Sequence, residues 1–266
     1  MPGSAGLWWP AGTGRTVGAM TRIALITGAN KGIGYETARL LGERGMTVLV
    51  GARDEDRGRK AAKTLGATFV HLDVTDDDSI QRAAAQVERD HGRLDVLVNN
   101  AGLIGDLPAA RGLPSGTTRE ALRQVFETNV FGVVAVTNAF LPLLRKADAA
   151  RIVNVSSEVG SISAISDPDS PLYGLVGIPY PTSKAAVNMV TAMYAKELKD
   201  TGILVNAANP GYCATDLNGH AGFRTPEQGA SVSVALATLP ADGPRGRLWG
   251  DRTLAGGADT DGVLPW

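Results

Sequence analysis

Residues 23–34 read IALITGANKGIG and join an apolar run to a glycine-rich turn. The first five residues favour a buried strand, because they are apolar or β-branched. Gly28, Gly32 and Gly34 would allow a tight turn and a close approach of the backbone to a ligand. A helix that follows such a turn presents free N–H groups and the positive end of its dipole to a phosphate. The segment therefore predicts a dinucleotide-binding unit, with an ordinary strand-to-helix turn as the alternative.

The same alternation of apolar runs and helical segments continues along the chain. The runs TVLVGA, ATFVHLDV, LDVLVNNAG, RIVNVSS and ILVNAANPG are separated by amphipathic stretches. Such alternation requires crossover connections and hence a parallel sheet, and continuous apolar strands indicate helices on both faces. We predict an α/β fold with one doubly wound, Rossmann-type parallel sheet, in a single domain over residues 21–266. Ligands of such sheets bind beyond the carboxyl ends of the strands.

Composition limits the classes of partner. The 266 residues are 44% hydrophobic, enough for a large core, and 26 basic residues balance 27 acidic ones. This balance argues against nucleic acid or an anionic membrane as partner and favours small molecules. The single cysteine, Cys213, precludes an intrachain disulfide and suits a reducing compartment, so we predict a cytoplasmic location. Residues 130–144 are too short for a membrane helix of about 20 residues, and residues 1–20 are expected to be disordered.

The end of the second predicted strand carries no acidic residue, which bears on the choice of cofactor. Arg53 lies there, and its planar guanidinium matches the oxygens of a 2′-phosphate. Lys31 in the first turn would approach the same group, and both charges favour NADP(H). The alternative is that both are solvated cations, with Asp54 neutralising Arg53. After the third strand, Asp73 would accept from the adenine amino group or cap the next helix, with Val74 supplying a backbone contact.

Six motifs occur in order: TGANKGIG (27–34), NNAG (99–102), ETNVFG (127–132), NVSS (154–157), YPTSK (180–184) and NPGYCATD (209–216). With them, the chain resembles the short-chain dehydrogenase/reductase family and its carbonyl-reductase-like group. The resemblance implies hydride transfer between NADP(H) and a small-molecule carbonyl or alcohol substrate, with the catalytic residues Asn129, Ser157, Tyr180 and Lys184, here called the tetrad. The predicted cofactor contacts, from the turn, the strand ends and this resemblance, are Gly28, Asn30, Lys31, Gly32, Ile33, Gly34, Arg53, Asp73, Val74, Asn100, Ala101, Gly102, Tyr180, Lys184, Pro210, Gly211 and Thr215.

The spacing of Tyr180 and Lys184 has an electrostatic interpretation. A phenol pKa near 10 is too high for efficient proton exchange at neutral pH, so we expect the site to lower it by roughly three units. A unit charge about 5 Å away, at an effective dielectric constant of about 20, stabilises a phenolate by roughly 3 kcal/mol. Ser157 would hydrogen-bond the carbonyl oxygen, and Asn129 would position Lys184 through a water. Pro181 disfavours helical dihedrals at Tyr180, which we therefore expect at the helix cap.

The spacing between Ser157 and Tyr180 is longer than the family pattern. We expect residues 158–179 to form a wall of the substrate pocket and to obstruct the helix pair through which relatives oligomerise; whether the protein is a monomer or a homo-oligomer is left open. The three histidines are scattered, and no metal site is predicted. An apolar substrate site is expected from Leu103, Ile104, Tyr212 and Trp249.

Two other functions fit parts of the sequence. A non-catalytic dinucleotide sensor would use the same fold but would not require the tetrad. An extended sugar-nucleotide epimerase or dehydratase is disfavoured by the G-x-x-x-G-x-G turn and the short C-terminal region. A carbonyl reductase remains the leading hypothesis.

Overall fold

The computed structural model describes residues 21–105, 112–250 and 262–266, and the predicted disordered extension lies outside these residues. The strands are β1 Ile23–Thr27, β2 Thr47–Ala52, β3 Thr68–His71, β4 Val96–Asn99, β5 Arg151–Val155, β6 Leu204–Ala208, β7 Leu248–Trp249 and β8 Val263–Leu264. The helices are α1 Gly32–Glu43, α2 Glu55–Leu65, α3 Asp77–His91, α4 Arg119–Phe126, α5 Gly132–Leu144, α6 Ile162–Ser166, α7 Pro179–Glu197 and α8 Pro226–Ala237.

The strands form one eight-stranded sheet in the order β3-β2-β1-β4-β5-β6-β7-β8. All neighbouring pairs are parallel except β7 and β8, which are antiparallel. The predicted doubly wound α/β class is confirmed. The two-residue strands β7 and β8 were not predicted, because two residues are too few to show a periodicity. The chain order reverses between β1 and β4, which places the ligand cleft beyond their carboxyl ends.

The two faces of the sheet carry separate apolar clusters. Leu25 packs on one face with Phe140 of α5, and the next residue, Ile26, packs on the other with Leu41 of α1 and Val234 of α8. Successive side chains of a strand point to opposite faces, so a strand covered by helices on both sides is apolar at every position. This explains the uninterrupted apolar runs in the sequence.

A continuous helical segment of 26 residues, Arg119–Leu144, runs through α4, a π-helical stretch Glu127–Phe131 and α5. By length and composition this whole helix would be long enough to cross a membrane, because it includes α4 as well as the short apolar stretch 130–144. Half of its most apolar part is buried inside the fold, and Val136 and Phe140 are fully buried in the core.

Candidate active site

The glycine-rich turn after β1 is packed tightly against the segment after β4. Gly28 and Gly32 have φ values of 65° and 58°, in the left-handed region that favours glycine. A Cβ atom on Gly34 would overlap the side-chain nitrogen of Asn100 and lie 2.7 Å from the carbonyl oxygen of Gly28. Each glycine is therefore needed, two for the backbone conformation and one for the close approach. Asn30 lies in the turn, and Ile33 follows in the first turn of α1.

The NNAG motif holds this turn in place. The Asn100 side chain donates to the carbonyl oxygen of Thr27 at 2.8 Å, and the Thr27 hydroxyl accepts from the backbone N–H groups of Asn100 and Ala101, both at 2.9 Å. Asn99 donates to side chains of α5 and β5 at 3.0 and 2.8 Å, so it braces the sheet. Asn100 and Ala101 thus fix the shape of the turn, while their contact with a cofactor stays a prediction.

The N-terminus of α1 and its surroundings favour an anion. Among the described residues, no side chain caps α1, which leaves its first N–H groups available to a ligand. Lys31 donates to the Asp216 carboxylate at 2.6 Å, and Arg53 is exposed at the end of β2. Asp54 accepts from Arg57 at 2.8 Å, which lowers the pKa of its carboxyl group, and the charge of Arg53 adds a smaller effect in the same direction.

Arg57 lies in the first turn of α2 and was missed from the sequence. The charge of Asp216 raises its pKa, after the larger effect of Asp54, so Arg57 and Lys31 are in the field of the same carboxylate. The glycine turn, the uncapped helix and these three cations fit a pyrophosphate and a further phosphate group.

Asp73 and Val74 follow β3. The Asp73 carboxylate accepts from the backbone and the hydroxyl of Thr75 at 3.0 and 2.8 Å, so it closes a local turn. The alternative that Asp73 caps α3 is wrong, because Asp76 occupies that position. Val74 packs against the start of α5, where a Cβ atom on Gly132 would come within 2.8 Å of the Val74 carbonyl oxygen. An adenine contact of Asp73 and Val74 stays a prediction.

Tyr180 and Lys184 lie one turn apart at the start of α7. The helix begins at Pro179, so Tyr180 lies inside the first turn, and the expectation that it caps the helix was wrong. Pro181 is tolerated there because the first-turn N–H groups have no partner within the helix. The Lys184 ammonium lies 5.5 Å from the centre of the Tyr180 ring. Its side chain is 5% exposed, and it donates to the carbonyl oxygen of Val155 at 2.8 Å.

Burial shifts the pKa of both Tyr180 and Lys184. It raises the pKa of Tyr180 to about 12, against the effect of a hydrogen bond with Ser157 and together with the negative charge of Glu158. Burial also lowers the pKa of Lys184 to about 8. The expected lowering of the Tyr180 pKa is thus not found, because removal from water disfavours the charged form of each group. The neutral phenol is the stable form of Tyr180 in this structure.

The two adjacent serines have different surroundings. Ser156 is buried, and its hydroxyl donates to the Asn188 side chain at 2.6 Å, which ties β5 to α7. Ser157 begins the next turn and accepts weakly from the backbone of Val159 at 3.4 Å, and its hydroxyl is close enough to the Tyr180 phenol to lower the pKa of that phenol. The geometry therefore brings Ser157, and not Ser156, to the phenol.

Asn129 lies in the π-helical stretch and is 1% exposed. Its side chain exchanges two hydrogen bonds of 2.9 Å with the backbone of Leu103 and donates to the Ser183 hydroxyl at 3.0 Å. Asn129 thus joins the segment after β4 to α7 beside Lys184. A Cβ atom on Gly102 would lie 3.4 Å from Asn129 Oδ1 and 3.8 Å from Lys184 Nζ, so this segment passes next to the tetrad. The predicted water link from Asn129 to Lys184 stays a prediction.

The segment after β6 returns on itself and lies against the glycine turn. Cys213 pairs with Arg224 in a parallel bridge, and the Cys213 thiol donates to the carbonyl oxygen of Pro210 at 3.3 Å. A Cβ atom on Gly32 would lie 3.7 Å from the Thr215 methyl group. Thr215 is therefore next to the predicted phosphate site. Gly211 lies in the segment that follows β6.

The apolar candidates fall into two groups. Tyr212 is 41% exposed and packs edge-to-face against Phe223, which is 73% exposed and was missed because no periodic pattern marks it. Their ring centres are 6.0 Å apart. Trp249 ends β7, is partly buried and packs on the core, and its expected place in a substrate site stays a prediction. The exposed aromatic pair thus lies after β6, at the carboxyl end of the sheet.

Comparison with known proteins supports the same interpretation. A family profile described as short chain dehydrogenase matches residues 22–222. A short-chain dehydrogenase of Penicillium roqueforti is 41% identical over 227 residues, covering 81% of this chain and 88% of the relative. A (+)-neomenthol dehydrogenase of Capsicum annuum is 32% identical, covering 85% and 94%. The crystal structure of an NADPH-bound carbonyl reductase from chicken fatty liver has a TM-score of 0.77 and 27% identity, covering 93% and 100%.

Proposed function

The chain belongs to the short-chain dehydrogenase family of oxidoreductases, and we propose that it is an NADP(H)-dependent reductase of ketones or aldehydes. The observation that carries this proposal is the cluster at the start of α7. There Ser157 lowers the pKa of the Tyr180 phenol, and the buried ammonium of Lys184 lies 5.5 Å from the centre of the phenol ring. A phenol, a hydroxyl group and a cation lie here beyond the carboxyl ends of the strands, where ligands of such sheets bind. These groups can donate a proton to a substrate and stabilise an oxyanion. A cytoplasmic location remains part of the same proposal.

The residues around the glycine turn fit NADP(H), which when bound supplies the hydride. Gly28 and the N-terminus of α1 would take the pyrophosphate, because they offer backbone N–H groups and close approach. Lys31, Arg53 and Arg57 would take the 2′-phosphate, since charge-assisted hydrogen bonds to phosphate are the strong ones. The NADPH carried by the chicken carbonyl reductase supports the same choice.

Each residue of the tetrad would have its own role in proton transfer. With a pKa of about 12, the Tyr180 phenol is protonated at neutral pH and can donate to the substrate oxygen as negative charge develops there. Ser157 would donate a hydrogen bond to the same oxygen. The Lys184 charge, 5.5 Å from the ring, would lower the free energy of the phenolate left behind. Asn129, through Ser183, would keep α7 in register with the segment after β4.

The expected substrate is an apolar carbonyl compound about as large as a single carbon ring. Tyr212 and Phe223 expose aromatic faces after β6, and Tyr173 and Val176 expose apolar surface in the segment after β5. These strands are neighbours, so both segments follow the same edge of the sheet as Tyr180. Exposed aromatic surface at such an edge favours an apolar ligand. The name of the Capsicum annuum relative, a neomenthol dehydrogenase, is consistent with this class.

Consumption of NADPH with a panel of cyclic and open-chain ketones and aldehydes tests the proposal. We expect turnover with at least one cyclic ketone, and a fall in kcat of about 10²–10⁴-fold in Tyr180→Phe, because only the proton donor is removed. Tyr173→Phe, which removes an exposed phenol, is the matched control and should retain turnover. NADPH binding without turnover by the unmodified protein would instead support the dinucleotide sensor.

A further inference from the structure

One buried amide side chain joins α7 to the segment that carries Ser157. Asn188 of α7 is 4% exposed. Its Oδ1 atom accepts from the Ser156 hydroxyl at 2.6 Å, and its Nδ2 atom donates to the carbonyl oxygen of Gly160 at 3.2 Å. Ser156 directly precedes Ser157, and Gly160 ends the short 3₁₀ turn, Glu158–Gly160, that follows it. The two hydrogen bonds therefore hold the chain on both sides of Ser157.

The same segment packs closely on α7 beside Lys184. A Cβ atom on Gly160 would lie 2.5 Å from the carbonyl carbon of Lys184 and 2.7 Å from the backbone nitrogen of Ala185, so a larger residue could not approach the helix as closely. The Lys184 ammonium donates to the carbonyl oxygen of Val155 at 2.8 Å, and the Ser156 hydroxyl lies 3.3 Å from the carbonyl oxygen of Lys184. Residues 155–160 are thus fixed to both the backbone and the side chain of the lysine beside the phenol.

The two partners of Asn188 require an amide at this position. The carbonyl oxygen of Gly160 can only accept, so Nδ2 must face it, and Oδ1 must then face the Ser156 hydroxyl, which donates. A carboxylate here would have no N–H group for Gly160, and an aliphatic side chain would make neither bond. Asn188 also lies one helical turn after Lys184 and two turns after Tyr180, so the three side chains share one face of α7.

Resting on the proposed reductase function, we propose that Asn188 is a positioning residue that sets the place of the Ser157 hydroxyl relative to the Tyr180 phenol. In that function both hydroxyl groups reach the same substrate oxygen as negative charge develops there. A displacement of about 1 Å in such an arrangement can lower the rate about 100-fold. The hydrogen-bond partners of Asn188 lie outside the glycine turn, so its substitution should slow the chemical step and leave the affinity for NADPH unchanged.

A second buried hydrogen bond between β5 and α7 offers a matched control. Asn154 donates to the Thr191 hydroxyl at 2.9 Å, and Thr191 lies fully buried one turn beyond Asn188. Thr191→Val keeps the shape of the side chain and removes this bond, but it leaves both bonds of Asn188 in place. Comparison of the two sites therefore separates the loss of a buried hydrogen bond from the loss of the serine's position.

The test measures NADPH oxidation in single turnovers with a ketone that the unmodified protein reduces, together with KM for NADPH and the melting temperature. Asn188→Leu should lower the single-turnover rate by about 10–100-fold and leave KM for NADPH unchanged. Thr191→Val should keep the rate, although both variants should lower the melting temperature, because each leaves buried polar groups without a partner. Ser156→Ala removes only one of the two bonds and disturbs packing least, so it should show a smaller loss of rate.

Combination with Ser157→Ala shows whether Asn188 acts through that serine. If it does, Asn188→Leu should have little further effect in the Ser157→Ala protein, because the hydroxyl group that Asn188 places is already gone. Additive losses of rate, an unchanged rate in Asn188→Leu, or an equal loss in Thr191→Val would overturn the inference while the reductase function stands. Failure of the unmodified protein to oxidise NADPH with any carbonyl would overturn both.

Discussion

The two lysines of the proposed site, Lys31 and Lys184, differ in their surroundings. Lys31 lies in the glycine turn with a side chain that is 54% exposed, and it pairs with an equally exposed carboxylate, Asp216. Lys184 is 5% exposed and donates to a backbone carbonyl group. Exposed ion pairs contribute little free energy and are screened by salt. A buried charge is costly to hold, and it acts strongly on neighbouring groups.

This difference separates affinity from turnover. Lys31 can exchange one anionic partner for another at small cost, which suits a group that receives a phosphate and releases it in every cycle. Lys184 is fixed by packing, which suits a group that must act at one distance from a phenol. Substitutions at or near the exposed Lys31 should therefore change cofactor affinity, and substitutions of the buried Lys184 should change kcat.

The largest effect is expected for substitution of the buried Lys184. Lys184→Met should lower kcat by about 10²–10⁴-fold, because the phenolate loses its nearby cation. It should not lower the melting temperature at neutral pH, since it removes a buried charge. Kinetic assay and thermal unfolding of Lys184→Met beside Lys196→Met, an exposed lysine of the same helix, measure both outcomes.

The same variant makes a prediction about pH and stability. Burial lowers the pKa of Lys184 to about 8 from 10.5, so between these pH values the unfolded chain binds more protons than the folded one. The unfolding free energy of the unmodified protein should therefore rise with pH in this window relative to Lys184→Met. A stability difference that does not change across this window, or full turnover in Lys184→Met, would contradict the role of a buried cation.

A smaller effect is expected for the exposed arginines. Arg53→Ala or Arg57→Ala should raise KM for NADPH by about 10–100-fold, because charge-assisted hydrogen bonds are worth about 1.5–3 kcal/mol. KM for NADH should change little, since NADH has no 2′-phosphate. Lys60→Ala, an exposed cation of the same helix, is the control. An equal loss for both cofactors would show that these side chains serve the fold instead of the phosphate.

The smallest effect is expected at the exposed ion pair. Asp216→Asn frees Lys31 from its partner and should tighten NADPH binding by about 2–5-fold, as expected for exposed pairs, with the gain lost at high salt. Glu227→Gln, which breaks an ion pair of Arg39 between α1 and α8, is the control and should not change the affinity. Weaker binding in Asp216→Asn would mean that the Asp216–Lys31 contact closes the cofactor site. Fluorescence titration with NADPH measures these affinities.

The predicted pocket wall has a defined local structure but stays a prediction. Residues 158–179 contain the 3₁₀ turn and α6, and the Ser163 hydroxyl donates to the carbonyl oxygen of Trp266 at 2.7 Å. Ile162 and Tyr173 are exposed in this segment. Obstruction of a helix pair predicts a monomer, and light scattering after size exclusion measures the state. A stable tetramer would contradict the obstruction.

The sequence alone determined the α/β class, the positions of the first six strands and the place of the glycine turn, although four of the predicted strands extended beyond the observed ones. These features depend on residues that are neighbours in the chain, because a strand between two helical layers must be apolar throughout. The motif order also identified the tetrad residues as candidates, although their catalytic roles remain to be measured. The domain boundary at residue 21 likewise stays a prediction.

The tertiary structure alone decided how the candidates act on one another. Asn100 braces a turn more than 70 residues earlier, and Glu158 is bonded to Asn209 across two strand ends. The expected lowering of the Tyr180 pKa was reversed because the sequence showed the cation but not the loss of water around the phenol. Burial arises from contacts between residues distant in the chain. It therefore sets the protonation of a site whose residue types the sequence had already determined.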